Sequence, residues 1–300
     1  MTPKEFMSRL EAISKDDGQL YGRLRPLYQA QENYAGSSQS YKGFMALSAA
    51  WKCFFLETVE RVNSDIISKI SSPPSESYPL FVERLGQYFQ GLCASEVVAI
   101  AGYPLQAYTL LRNVFDSVIL TAAVTEGKTD FLRLEGLDAA GQFDPLAFRK
   151  LRRKEENAVR PQMTGKQSGL SETTLDELSK WDVLFDDETH GGLLSRAYSA
   201  DWLRGKQRLP ILPRFEEMPF GNFMNRYCEI AWMVHRLLPL VQFSSHSLAE
   251  EWKGKWKTID ECFYSTADAL AVQNGKAIGR AIIELVTTKL PFDENSTFWR

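Results

Sequence analysis

The sequence predicts an all-α protein, a bundle of roughly eight to ten helices with no substantial sheet. Three observations carry that expectation. Apolar residues recur every third or fourth position through most of the chain, which is the period of a helix face. No run alternates apolar and polar residues as a half-buried strand would. Helix-opening signals stand ahead of several of the periodic stretches.

The elements follow in order. Thr2-Pro3-Lys4-Glu5 is a capping box with proline in the first turn, and Phe6, Leu10 and Ile13 continue at helical spacing until Asp17-Gly18. Residues 35–40 read as a polar linker. Phe44, Leu47, Trp51, Phe55, Val59, Val62, Ile66 and Ile70 then form one stripe of a long helix. Ser71-Ser72-Pro73-Pro74 ends it, because proline cannot donate to the helical ladder. A third helix opens near Leu80, carries Leu85, Phe89 and Leu92, and breaks at Gly102-Tyr103-Pro104. From Pro104 to Thr125 apolar residues cover every side of the helical wheel. That pattern predicts a helix buried all round, at the centre of the protein or of a dimer interface.

Asp144-Pro145 opens a short basic helix, and the polar, glycine-bearing stretch from Arg160 to Leu170 predicts a loop. Ser171 opens a helix with Leu175, Leu178, Trp181 and Leu184 on one face, closed by His190-Gly191-Gly192. Leu209 to Pro219, with three prolines, reads as a loop. Phe223, Tyr227, Ile230, Val234, Leu237 and Val241 define the next helix, with a kink expected at Pro239. A second capping box, Ser247-Leu248-Ala249-Glu250, precedes Trp252, Trp256, Ile259 and Phe263. Ile278, Ile282, Leu285 and Val286 mark the last helix.

The 300 residues suit one large helical domain, or a 1–205 core and a 220–300 C-terminal region joined by a loop at 206–219. Lys plus Arg number 35 against 38 Asp plus Glu, a net charge of −3. This excludes a uniformly basic nucleic-acid coat but not a local basic patch. Hydrophobic residues at 44% and charged residues at 24% exclude disorder and collagen for most of the chain. Cys53, Cys93, Cys228 and Cys262 form no CxxC and read as small core residues of a reducing cytoplasm, not as a disulfide framework. The most membrane-like stretch, Val97 to Leu111, is interrupted by Gly102 and Pro104, so a buried interior is expected and no membrane partner. Charged residues at the N-terminus give no secretory signal pattern.

The phosphate-binding pattern GxxxxGK(S/T), the dinucleotide pattern GxGxxG, the hydrolase elbow GxSxG and the zinc pattern HExxH are all absent. With only His190, His235 and His246, neither a metal site nor a cofactor is expected. Four constellations remain. Arg112, Asn113 and Asp116 sit within the apolar stretch, Arg112 and Asp116 one turn apart. Buried charges there need partners, so the pair either fixes helix register or forms a site. Asp182, Asp186, Asp187, Glu188 and His190 make an acidic helix end, solvated or tuning the imidazole for acid–base work. Arg149, Lys150, Arg152, Arg153 and Lys154, with Arg160 and Lys166 nearby, are a solvated face or a grip on a phosphate backbone. Glu155 and Glu156 follow at once, and Arg152 pairs with Glu156 by spacing. Trp252, Trp256 and Phe263 read as core or partner surface, with base stacking the lesser alternative.

The phrase Gly102-Tyr103-Pro104-Leu105-Gln106-Ala107-Tyr108-Thr109-Leu110-Leu111-Arg112-Asn113, with Asp116 one turn on, resembles a helix of bacterial proteins related to abortive-infection and HEPN-type proteins. Thr189-His190-Gly191-Gly192 is similar to their later helix end, so the likeness spans Leu80 to Ala197. It implies a dimerising binding or effector component of a bacterial defence or toxin-type system, with a homodimer, RNA or a protein as partners. Active HEPN ribonucleases carry a histidine one to two turns after the arginine, where this chain has Ser117, Val118 and Ile119. The alternative is a metal-independent ribonuclease in which Arg112 and His190 meet by folding, guided by the basic run. A third is a helical scaffold unrelated to that family.

Overall fold

The computed structural model describes residues 42–69, 78–135, 145–190, 217–241, 250–273, 275–276 and 278–290. Among them are nine α-helices and no strand: α1 (Lys42–Lys69), α2 (Tyr78–Ile100), α3 (Pro104–Thr125), α4 (Phe131–Leu134), α5 (Pro145–Met163), α6 (Glu172–His190), α7 (Glu217–Leu237), α8 (Glu250–Gln273) and α9 (Ile278–Lys289). A 3₁₀ turn, Leu238–Val241, extends α7, so the chain tightens at Pro239. The helix expected at Thr2–Ile13, the linker at 35–40, the Ser71–Pro74 stop, Asp144, Gly191-Gly192 and Ser247–Ala249 lie outside the described residues.

Two buried helices organise the bundle. α3 packs against α2, α4, α5, α6 and α7, and α7 against α1, α2, α3, α8 and α9. Local chemistry explains how α2 turns into α3. Gly102 has φ of 92°, a left-handed conformation that suits a residue without Cβ. Its N–H donates to the Ala99 carbonyl at 3.0 Å and the Tyr103 N–H to Val98 at 3.1 Å, which closes α2. Pro104 then starts α3, where its missing donor costs nothing. The two helices approach closely at Gly91, where a Cβ would sit 2.7 Å from Val114 Cγ2.

All-round burial holds in α3 from Val118 to Val124, as the wheel predicts, but not over Gln106–Ser117, and α7 shows it as well. Every residue from Tyr227 to His235 is buried. The polar members are met within α7 and across helices. Glu229 accepts from Arg226 at 2.6 Å, and the Arg226 guanidinium lies 4.1 Å over the Trp181 ring of α6. His235 stacks on Trp256 at 5.1 Å and shares its Nε2 with the Trp256 carbonyl at 3.0 Å. Phe54 and Phe263 close the box around it. Burial, with Arg236 beside it, pushes the imidazole down to about 3, so it is neutral and structural.

At the far end α8 and α9 form a tight hairpin. Gly275 and Lys276 take φ of 65° and 72° in the turn, and Gly279 then meets the α8 backbone so closely that a Cβ would fall 2.0 Å from the Ala267 carbonyl. α9 also caps α6. Glu284 accepts from the Ser171 N–H and Oγ, each at 2.6 Å, and from Thr174 Oγ1 at 2.6 Å.

Several expectations change. Arg160 is helical, because α5 continues to Met163 through Pro161, and only 164–170 form the turn. Gly165 makes that turn possible, since a Cβ there would lie 2.7 Å from Pro161 Cα. α7 begins at Glu217, inside the stretch read as a loop; the rest of that stretch lies outside the described residues. Of the cysteines only Cys228 is buried; Cys93 is intermediate, Cys53 and Cys262 are exposed, and all four are free. They fall on helix faces whose burial is set by partners a single-helix pattern does not reveal. Among the described residues one stretch, Gln106–Thr125, is long and apolar enough to cross a membrane, and 67% of it is buried within the protein.

Candidate functional site

α3 carries a polar sector, Arg112, Asn113, Asp116 and Ser117, at positions one helical turn apart. α5 lies antiparallel beside it. Arg160 of α5 reaches Asp116 within α3, while Glu155, nearer the start of α5, bonds Thr129 beyond the end of α3. A cleft of about 590 Å³ opens between the two helices. Phe115, Ile119 and Leu120, all buried, form its floor. Arg112, Asp116, Arg152, Glu156 and Arg160 stand on its walls.

The charges form a chain across the cleft. Arg112 Nε lies 3.4 Å from Asp116 Oδ2. Arg160 Nη2 lies 2.5 Å from Asp116 Oδ1 and 3.5 Å from Asp182 Oδ1 of α6. Arg152 Nε donates to Glu156 Oε1 at 2.8 Å, the pair its spacing predicts. A guanidinium has five donors in a rigid fork, so the two carboxylates on Arg160 leave donors to spare.

The expectation of a fully buried ion pair is corrected. The Arg112 side chain is 19% exposed and that of Asp116 34%. The polar residues occupy one sector of α3, and α5 stands off from it far enough to leave the cleft open. Asn113 is exposed at the rim. The structure thus brings together three of the four proposed catalytic residues and Arg152 of the basic run.

The remaining basic residues extend the site outward. Lys150, Arg153 and Lys154 are exposed on α5 and make no ion pair among the described residues. The side chain of Arg149 lies outside them. α6 persists to His190, so Asp186 and His190 stand one turn apart on it. The side chains of Asp186, Asp187, Glu188 and His190, and with them any approach to Arg112, lie outside the described residues. Trp252, Trp256 and Phe263 are core, which removes a base-stacking platform there.

Asn157 and Thr164 join the cleft unforeseen, and Arg160, expected only as a cation near the basic run, becomes part of its wall. The signal was present: Arg152, Glu156 and Arg160 are successive i, i+4 positions, one face of a helix. The expectation of a loop from Arg160 to Leu170 hid it. No group of three or more His, Cys, Asp or Glu among the described residues could hold a metal ion. Comparison with protein-family models, curated proteins and solved structures gives no match.

Proposed function

We propose that this chain is a HEPN-like helical protein that binds single-stranded RNA through the α3–α5 cleft and the outer face of α5. In this reading it is a homodimeric, cytoplasmic component of a bacterial defence or toxin-type system that works by binding. One observation carries the RNA part. Three guanidiniums from two helices converge on one open cleft, next to exposed lysines and an arginine with no acidic partner. Guanidinium forks match phosphate oxygens in pairs. The unpaired cations outside the cleft supply the counterion-release attraction that a phosphate backbone needs. Asp116 and Glu156 hold the arginines in place and lower the net charge, which favours a positioned strand over indiscriminate polyanion capture. The defence role, the homodimer and the compartment are supported by the resemblance of Gly102–Asp116 and by the cysteine usage.

The test is fluorescence anisotropy with a labelled single-stranded RNA at several salt concentrations. Arg153→Glu with Lys154→Glu should raise Kd at least tenfold and flatten the salt dependence, whose slope is about −0.7 per neutralised phosphate. Absence of binding by the wild type at low salt, or unchanged affinity in the double variant, overturns the proposal. The ribonuclease reading draws on the helical continuation of α6 to His190. Cleavage of the same RNA in a chelator, lost in both Arg112→Ala and His190→Ala, would replace binding with catalysis.

A further inference from the structure

The outer face of α1 has an unusual composition. Its exposed row is Lys42, Ala46, Ala49, Cys53, Leu56 and Glu60, with Ala50 beside it. Leu56 is 48% exposed. Over the roughly 27 Å from Lys42 to Glu60 this row carries no charge between its two ends. The solvent face of a helix is normally polar. α8 by contrast intersperses charges along its outer face, with Glu251, Lys255, Lys257, Glu261 and Asp268 exposed alongside Tyr264 and Val272. α2, antiparallel to α1 and joined to it by the Lys52–Glu96 pair at 2.5 Å and the Phe55–Phe89 stack, adds exposed Ala94 and Val97.

The row also has a symmetry. Its steps are four, three, four, three and four, so it reads identically from either end. Alternating steps of three and four are the seam of a two-helix pair. Laid antiparallel on a copy of itself, the row sets Ala46 against Leu56, Ala49 against Cys53, and cationic Lys42 against anionic Glu60 at both ends. An isologous two-fold interface demands this self-complementarity. The alanines at its centre permit close approach of the backbones.

We propose that α1 is the seam of an antiparallel homodimer, pairing Lys42 of each copy with Glu60 of the other. The proposal rests on the homodimer of the preceding reading and names its surface. It is tested by sedimentation and light scattering of the full chain at micromolar concentration. The wild type should have twice the 34.1 kDa mass of the chain. Ala49→Arg, an exposed position, should give a monomer with unchanged circular dichroism. Lys42→Glu should weaken the dimer at low salt at least tenfold, and adding Glu60→Lys should restore it. Mild oxidation of Ala49→Cys should give a disulfide dimer through Cys53 of the second copy. A monomeric wild type, or a dimer that persists in Ala49→Arg, overturns the proposal. RNA binding by the same samples is read separately, because Ala49 lies on neither α3 nor α5. A dimer without RNA binding therefore sinks the RNA reading alone.

Discussion

Arg160 and Asp116 meet at 2.5 Å from helices 44 residues apart in sequence, and Asp116 holds Arg112 with its other oxygen. One carboxylate therefore orients two guanidiniums on opposite walls of the cleft. Its removal has a predictable sign. Asp116→Asn should tighten RNA binding a few-fold, because the internal anion no longer competes with phosphate. Arg160→Ala should weaken binding about tenfold, the worth of one charge-assisted hydrogen bond. Stability should fall by less than about 1 kcal/mol, since the pair is half exposed. Anisotropy and urea unfolding on the same samples check both parts.

Gly279→Ala should be among the most destabilising single changes in the protein. The new methyl would enter the α8 backbone at the Ala267 carbonyl, which no side-chain rotation can relieve. A cost of about 3 kcal/mol is expected, at the upper end for overpacking. A urea midpoint within error of the wild type would contradict the close crossing of α8 and α9.

Glu284 predicts a loss of stability in acid. Burial pushes its carboxyl up, but hydrogen bonds from Ser171 and Thr174 outweigh this and hold it below the usual 4.5. A carboxyl lowered in the folded state stabilises the protein above its unfolded value, and that contribution vanishes as pH falls through the folded value. Glu284→Gln should cost about 1 kcal/mol at neutral pH, as loss of a cap does. The gap between variant and wild type should close below pH 4.5, and thermal melts across that range decide it.

His235 acts in a separate window. Its folded value of about 3 lies below the ordinary 6.5, so only the unfolded chain takes up a proton between those limits. Stability should therefore fall as pH drops below 6.5, by at most about 1.4 kcal/mol per pH unit. His235→Gln, which keeps a donor for the Trp256 carbonyl, should show a shallower decline between pH 7 and 5.5. Parallel urea titrations at those two values would expose a neutral, buried imidazole or refute it.

What was legible in the sequence was local. Gly102-Tyr103-Pro104 announces its turn because glycine supplies the left-handed φ and proline the first helical position. Ser171 announces the start of α6, and its hydroxyl accepts from the Thr174 N–H at 3.3 Å. The stripe from Trp51 to Val62 announces α1. Non-local pairing was not legible. α7 looked amphipathic because Arg226, Glu229 and His235 interrupt its apolar run, yet Trp181 and the aromatic box of α1 and α8 absorb them. Arg112 and Asp116 were found by spacing, but nothing in α3 alone says that Arg160 completes them. The all-round apolar wheel holds for Val118 to Val124 and overstates only the first part of α3, where a small polar sector lines a cleft because a neighbouring helix stands off.

The cap on α6 is delivered by a residue 113 positions downstream. During synthesis the ribosome releases α6 long before it releases Glu284, so its first turn emerges with only the local Ser171 cap on the Thr174 N–H. The anchoring of Ser171 and Thr174 to α9 waits until almost the whole chain has been translated.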